Sequence, residues 1–350
     1  MKIAFYITNH GYGHASRNVA IIKLFLFRNP DTVIIVKSDP ERCDFIRRNL
    51  EDDRVKYFSD CTEVGLILKK GTLDPDIETM RFAIEADVKR WPAYIEREVH
   101  FLRSEKPDLV IADIICWAIY SAKQCGIKSV LIGNFTWSSM YKSFYGTAVY
   151  KSYLDYYKMA DISVWYEIHD KELESNNLNQ CFFSLVSRPV NLENVKEINN
   201  SHSQPIIFVS LGASAEIKAS IDVSFLPYDF ITTRGITLKG SNVYHLPLDM
   251  INTQDYIAAS EFVIAKGGWS TVAEILLQKK KCCLLRRGNN REDRATQEYL
   301  EERGHCIIID AVDLIDIGLL IDRMKQMNPS PYNYYDSTEQ ICELIEGIAQ

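Results

Sequence analysis

The sequence predicts an α/β fold begun twice, giving two parallel-sheet lobes that face a central cleft. Three observations carry this expectation. Residues 2–8 form an apolar run of strand length that enters the glycine-bearing turn Asn9-His-Gly-Tyr-Gly-His14, and residues 15–27 follow with apolar positions at helical spacing (Val19, Ile22, Phe25, Leu26). After a polar, asparagine-rich stretch, Ile206-Ile-Phe-Val-Ser-Leu-Gly212 restarts the same grammar. A third junction repeats it, with residues 261–265 as strand, Gly267-Gly268 as turn and residues 271–278 as helix.

The remaining elements follow in order. Val33-Ile-Ile-Val36 reads as a second buried strand. Residues 78–103 read as a long helix in which Pro92 marks a break or kink. Residues 107–113 and 129–134 read as strands, with a helix over 114–124 between them and Gly126 near its C-terminus. Residues 282–285 form another strand, and 336–349 an amphipathic helix carrying Ile341, Leu344, Ile345 and Ile348. This places one domain at 1–190, a second at 204–330 and a C-terminal helix within 331–350, with the linker near 188–204. In many two-lobed folds such a tail packs back on the first lobe.

Composition narrows the class. A chain of 350 residues suits two ordinary domains, and 47% hydrophobic with 25% charged residues is globular. The net charge of -7 argues against nucleic acid as a main partner, although one local positive spot suffices for a small phosphorylated ligand. The nine cysteines show no zinc-site spacing, and the adjacent Cys282 and Cys283 read as buried strand residues. The opening has no signal-peptide anatomy, and no apolar run approaches the ~20 residues of a membrane-spanning helix. A cytoplasmic protein without bound metal or cofactor is expected.

Open parallel sheets bind ligands at the carboxyl ends of their strands, so residues just after strands are the ones to examine. Lys266-Gly-Gly-Trp-Ser-Thr271 fits either a bare tight turn or a diphosphate site formed by close backbone approach and a helix N-terminus. Thr271-Val-Ala-Glu274 fits a capping box, and equally offers a first-turn carboxylate for a ribose. The loop holding Arg286, Arg287, Arg291 and Arg294 offers guanidinium forks for phosphate, or only a solvated surface. His14 closes the first turn and can act as general base or merely hold the turn, since an unperturbed imidazole titrates near pH 6.5. His10 and His245 have weaker claims. Arg17 could orient a carboxylate or phosphate, or join a surface pair. Asp113 ends an apolar strand, where it could pair with His14 or hold an acceptor hydroxyl. Asn134-Phe-Thr-Trp137, with Tyr141, Tyr145 and Tyr150, suits either an acceptor platform or a packed aromatic cluster. There is no P-loop, and Gly11-x-Gly13 lacks the third glycine of a dinucleotide fingerprint.

Gly11-Tyr-Gly-His-Ala-Ser-Arg17 resembles the Gly-x-Gly-His-x-x-Arg opening of GT-B sugar transferases, whose two domains are Rossmann-like. Lys266-Gly-Gly-Trp-Ser-Thr-Val-Ala-Glu274 resembles their Gly-Gly-x-x-Thr-x-x-Glu donor motif, shared by the peptidoglycan N-acetylglucosaminyltransferase and by plant and antibiotic glycosyltransferases. A likeness over most of the chain is to the transferase-like N-terminal half of plant L-arabinokinases. Their kinase half has no counterpart here, so no ATP phosphorylation is expected.

The resemblance implies a metal-independent, inverting transferase moving a sugar from a nucleotide-diphosphate donor, UDP-linked by preference, to a small-molecule or glycan hydroxyl. It implies His14 as base with Asp113 beside it. Gly13, Gly212, Ala213, Lys266, Gly267, Gly268, Ser270, Thr271, Glu274 and Arg287 would contact the donor, with Glu274 on the ribose. Tyr12, Arg17, Asn134 and Trp137 would lie on the acceptor side. Many relatives carry an Asp-Gln or Glu-Gln pair after the last donor strand, whereas this chain has Glu292-Asp293. A nucleotide-sugar hydrolase or epimerase, or a non-catalytic nucleotide-sugar-binding module, are the alternatives the same motifs allow.

Overall fold

The first strand, β1 (Lys2–Ile7), is buried along nearly its whole length, as an apolar run flanked by parallel neighbours requires. The computed structural model describes residues 1–61, 63–69, 75–145, 147–171, 179–211, 220–247, 249–286 and 291–350. It falls into two units. One comprises Met1–Ile67, Pro75–Val186 and Asp336–Gln350; the other comprises Ser187–Tyr335 and a short stretch beginning at Leu68.

In the first unit, β1 leads to α1 (Gly13–Arg28), β2 (Val33–Lys37), α2 (Pro40–Leu50), β3 (Val55–Phe58) and α3 (Ile77–Glu105). Then come β4 (Leu109–Asp113), α4 (Cys116–Gln124), β5 (Lys128–Gly133), α5 (Trp137–Tyr145), α6 (Thr147–Tyr157), β6 (Ile162–Tyr166) and β7 (Gln180–Phe183). Among the described residues the seven strands form one parallel sheet in the order β3-β2-β1-β4-β5-β6-β7. The chain therefore winds outward from β1 and then crosses to β4, which puts the switch point between those two strands. Their register sets Ile7 beside Asp113.

The second unit repeats this plan with α7 (Leu192–Asn200), β8 (Ile206–Ser210), β9 (Ser220–Asp222), β10 (Asp229–Thr232), β11 (Thr237–Lys239), β12 (Val243–His245) and α8 (Thr253–Ala259). It continues through β13 (Phe262–Lys266), α9 (Trp269–Leu277), β14 (Lys281–Leu285), α10 (Arg291–Glu301), β15 (Cys306–Ile309), a 3-10 turn (Ala311–Asp316) and α11 (Ile317–Gln326). The main sheet runs β12-β10-β8-β13-β14-β15, all parallel, with β9 and β11 as a separate pair. Its switch point lies between β8 and β13.

The last helix, α12 (Thr338–Ala349), packs on α1. Arg28 donates through Nε and Nη2 to the two Glu346 carboxylate oxygens at 3.0 and 3.1 Å, and Lys128 Nζ donates to the Ile348 carbonyl at 2.9 Å. Ile341, Cys342, Ile345 and Ile348 form its buried stripe.

Several local expectations change. Pro92 lies within α3 without ending it. The helix after Gly267-Gly268 starts at Trp269 with Gly268 as its N-cap, so Thr271 is the third helical residue and no capping box forms. Glu274 consequently sits on the second turn, not the first. Arg291, Glu292, Asp293 and Arg294 belong to the first turn of α10, not a loop; the two carboxylates there suit the positive end of the helix dipole. The segment following Asn134 is helical, and Trp137 and Tyr141 are core residues. Among the described residues no helix is long and apolar enough to cross a membrane.

Candidate functional site

At the switch point of the first unit, β1 gives way to a turn in which Gly11 has φ +68, a left-handed backbone that suits glycine. The turn delivers His14 to the first turn of α1, and β4 delivers Asp113 at its last residue. His14 Nδ1 lies 2.8 Å from Asp113 Oδ1. Arg17 Nε donates to Asp113 Oδ2 at 2.8 Å, its Nη2 donates to Oδ1, and its Nη1 donates to Asn134 Oδ1 at 2.6 Å. Asn18 Nδ2 donates to Asp113 Oδ2 at 2.5 Å and to the His14 carbonyl at 2.8 Å.

Asp113 is wholly buried. Burial by itself pushes its carboxyl up, but the Arg17 guanidinium and His14 outweigh burial and hold it at about 2. It is therefore an anion that can only accept. His14 Nδ1 is also 2.7 Å from Arg17 Nη2. The two contacts ask for opposite protonation states, and the anion decides between them, because Arg17 already has Asp113 and Asn134 as acceptors. The proton is assigned to Nδ1, which donates to Asp113, and the lone pair of the neutral imidazole falls on Nε2. Such a tautomer can take a proton from a hydroxyl.

The backbone around this network is unusual. Ile114, directly after Asp113, has φ +58, where a β-branched side chain costs about 1–3 kcal/mol. Tyr157 Oη donates to the Ile114 carbonyl at 2.5 Å and helps hold that conformation. Gly133 is needed at the neighbouring strand end: a Cβ there would lie 2.9 Å from Ile114 Cγ2 and 3.1 Å from the Phe135 carbonyl oxygen.

Around His14 stand aromatic rings. Phe135 is 5.6 Å from His14 between centroids, His10 is 6.3 Å from His14, and Trp137 is 5.1 Å from His10. Trp137 stacks on Tyr141 and donates Nε1–H to Glu63 Oε2 at 3.0 Å. Tyr12 is half-exposed, under the Arg42 guanidinium at 4.8 Å. Gly13 opens α1.

In the second unit, β13 ends at Lys266 at the switch point, and Gly267-Gly268 passes into α9. A Cβ on Gly267 would lie 3.1 Å from Gln297 Nε2 of α10, a tight contact that Gln297 would have to yield to by a few tenths of an ångström. Ser270 is buried and Thr271 half-buried on the first turn of α9, where amide N–H groups lack intrahelical acceptors. Glu274 Oε1 accepts from Arg188 Nε at 3.1 Å and Nη2 at 2.9 Å. Arg188 Nη1 also donates to the Ile251 carbonyl, and Nη2 to Thr253 Oγ1 at 3.1 Å. Glu292 and Asp293 are buried on α10. The expected contacts Gly212, Ala213 and Arg287 lie outside the described residues.

No family model matches the chain. A curated relative is the L-arabinokinase of Arabidopsis thaliana, 24% identical over 294 residues, which are 80% of this chain and 27% of that protein. The chain thus spans about a quarter of the length of the relative it matches. Among solved structures it is similar to Arabidopsis thaliana UGT89C1 complexed with quercetin, with a TM-score of 0.66 and 12% identity over 100% of this chain and 99% of that one. CalG4, the calicheamicin glycosyltransferase, gives 0.63 and 14% over 99% and 97%. The chain has the GT-B glycosyltransferase fold. A second structure of UGT89C1, complexed with UDP, gives 0.63 and 11% over the full length of both chains.

Within this GT-B chain, the structure unites His14, Arg17, Asp113 and Asn134 in one network, with Trp137 linked to it through the rings of His10 and Phe135. Sequence reasoning missed Asn18, Glu63 and Arg188. Asn18 was findable, since it lies four residues beyond His14 on the same helical face. Glu63, between Cys61 and Val64-Gly-Leu-Ile67, is a carboxylate in a largely apolar stretch. Arg188 carried no local signal, because its partner lies 86 residues away.

Proposed function

We propose that the chain is a glycosyltransferase that moves a sugar from a nucleotide-diphosphate donor, UDP-linked by preference, to an acceptor hydroxyl with inversion and without a metal. The observation that carries this reading is the buried His14–Asp113–Arg17 network at the first switch point. An alcohol attacks poorly until its proton begins to leave, and His14 Nε2 is the nitrogen able to take it. As the acceptor oxygen bonds to the anomeric carbon, the bond from that carbon to the diphosphate oxygen breaks. The proton passes to Nε2, and the electron pair leaves with the nucleoside diphosphate. Asp113 fixes the tautomer and stabilises the imidazolium; Arg17 and Asn18 keep Asp113 ionised and aligned.

On the donor side, the amides at the start of α9 with Ser270 and Thr271 would receive the diphosphate, and Gly267-Gly268 would let it approach. Lys266, Gly212, Ala213 and Arg287 complete the proposed phosphate contacts, and Glu292-Asp293 the sugar contacts. Glu274 would meet the ribose as a carboxylate already neutralised by Arg188. The structures of UGT89C1 with UDP and of VinC with DTDP support a nucleotide donor by analogy of fold.

Incubation with labelled nucleotide sugars, with and without acceptors, tests the reading. Acceptor-dependent transfer is expected, with His14→Ala lowering turnover about 10²–10⁴-fold and leaving donor-induced thermal stabilisation intact. Free sugar released at full rate without acceptor would identify a hydrolase instead. Donor binding with no turnover in any mixture would identify a binding module.

A further inference from the structure

The turn that delivers His14 is anchored unevenly. Its first half is tied inward: Ser38 Oγ donates to the Ile7 carbonyl at 2.7 Å, and the Glu63 amide donates to Asn9 Oδ1 at 3.1 Å. Its second half, Gly11-Tyr12, is exposed, and α1 starts at Gly13 with no side-chain cap from Tyr12. Gly11, at φ +68, leaves the backbone more conformations there than any other residue would. His14 is the second residue of α1, so the position of this half-turn decides where its backbone stands.

Arg42, on the first turn of α2, reaches the exposed half. Its Nε donates to the Gly11 carbonyl at 3.2 Å, and its guanidinium carbon lies 4.8 Å from the centre of the Tyr12 ring. Tyr12 meets α2 twice more: its ring is 5.3 Å from that of Phe45, and its Oη donates to Glu41 Oε2 at 3.4 Å. Arg42 is itself held, with its side chain only 13% exposed. Its backbone N and its Nη1 donate to the two Asp39 carboxylate oxygens at 3.0 Å each, and Nη1 donates to Glu41 Oε2 at 2.7 Å. Asp39 is the N-cap of α2, so the guanidinium is fixed to the end of that helix. Two carboxylates answer this one guanidinium, which argues against a role in holding an anionic ligand. Its contacts are those of a clamp.

We propose, resting on the transferase reading above, that Arg42 is a positioning residue: by gripping the Gly11 carbonyl and the Tyr12 ring it fixes the start of α1, and with it the direction in which His14 Nε2 meets the acceptor hydroxyl. Asp113 sets which nitrogen of His14 carries the proton, and Arg42 sets where the backbone holds the ring. Proton transfer needs close, aligned approach, and a misplacement of about 1 Å can cost about a hundredfold in rate. Lysine cannot replace the clamp, because a compact ammonium offers neither a planar face to Tyr12 nor an Nε–H to Gly11.

The test is steady-state kinetics of Arg42→Ala and Arg42→Lys, each alone and Arg42→Ala also combined with His14→Ala, every variant first shown to be folded by its urea transition. Both single variants should lower kcat by about tenfold to a hundredfold, with donor KM within about twofold of wild type. In the His14→Ala background, Arg42→Ala should cost less than about twofold more, since no imidazole is left to aim. A purely structural role would lower turnover by the same factor in both backgrounds, and that result overturns the proposal. So does wild-type kcat in Arg42→Lys, or a loss confined to donor KM. Wild type that transfers sugar from no nucleotide donor would overturn the transferase reading, and this proposal with it.

Discussion

His14 Nδ1 and Asp113 Oδ1 stand 2.8 Å apart although 99 residues separate them in the chain. The pair exists because β1 and β4 are neighbours in register, so the residues leaving both strands emerge side by side. Asp113 is at the same time the counter-ion of the buried Arg17, which donates to it through Nε and Nη2.

Asp113→Asn should therefore act through the tautomer. An amide NH₂ facing Nδ1 would draw the lone pair there and move the imidazole proton to Nε2. Turnover should fall about 10²–10⁴-fold, with donor binding retained. Arg17 would also be left buried without its counter-ion, which costs about 3–5 kcal/mol when one partner of a buried pair is removed. Steady-state kinetics and chemical denaturation read the two effects separately; an unchanged turnover would remove Asp113 from the mechanism.

The Arg188–Glu274 pair gives a second prediction. Both side chains are buried, with Glu274 Oε1 2.9 Å from Arg188 Nη2. Arg188→Met alone should destabilise the chain by about 3–5 kcal/mol, whereas adding Glu274→Leu should recover most of that loss. Urea unfolding of the two singles and the double measures the coupling. Strict additivity would mean that the pair contributes nothing.

Stability should vary with pH in two opposite windows. The folded Asp113 carboxyl, held at about 2, lies below its ordinary value of 3.8, so its contribution is present above that value and lost as pH falls toward 2. The folded Glu63 carboxyl, at about 8 against 4.5, contributes stability that is present below 4.5 and is lost as pH rises through 8. Thermal midpoints across pH should fall at both ends. In Glu63→Gln the alkaline decline should flatten while the acidic one stays.

Gly267→Ala tests the tightness of the turn proposed to receive the donor. The new Cβ would meet Gln297 Nε2, which donates to the Leu285 carbonyl at 3.0 Å. A loss of about 1–3 kcal/mol is expected, together with a smaller donor-induced shift in melting temperature. Gln297→Ala in the same chain should relieve the crowding, and failure to do so would locate the need for glycine elsewhere.

The elements themselves are legible in the amino-acid sequence. Strand-length apolar runs, glycine turns and helical stripes are local signals, and they set the α/β class, nearly every strand near both switch points and the position of His14 just past the first. Partnership is not legible there, because it depends on register and on which strands become neighbours. Asp113 could have faced an acceptor or His14, and only the β1–β4 pairing brings it to the imidazole. Thr271-Val-Ala-Glu274 has the spacing of a cap, yet the helix begins two residues earlier and a distant arginine takes the carboxylate. Burial, with Asp87 of α3 and Asp113 at the end of β4, raises the Glu63 carboxyl, and neither aspartate is its neighbour in sequence. Local pattern thus determined which elements form and where their ends fall, while the charge and orientation of each side chain at those ends were decided by contacts that exist only once the sheet has closed.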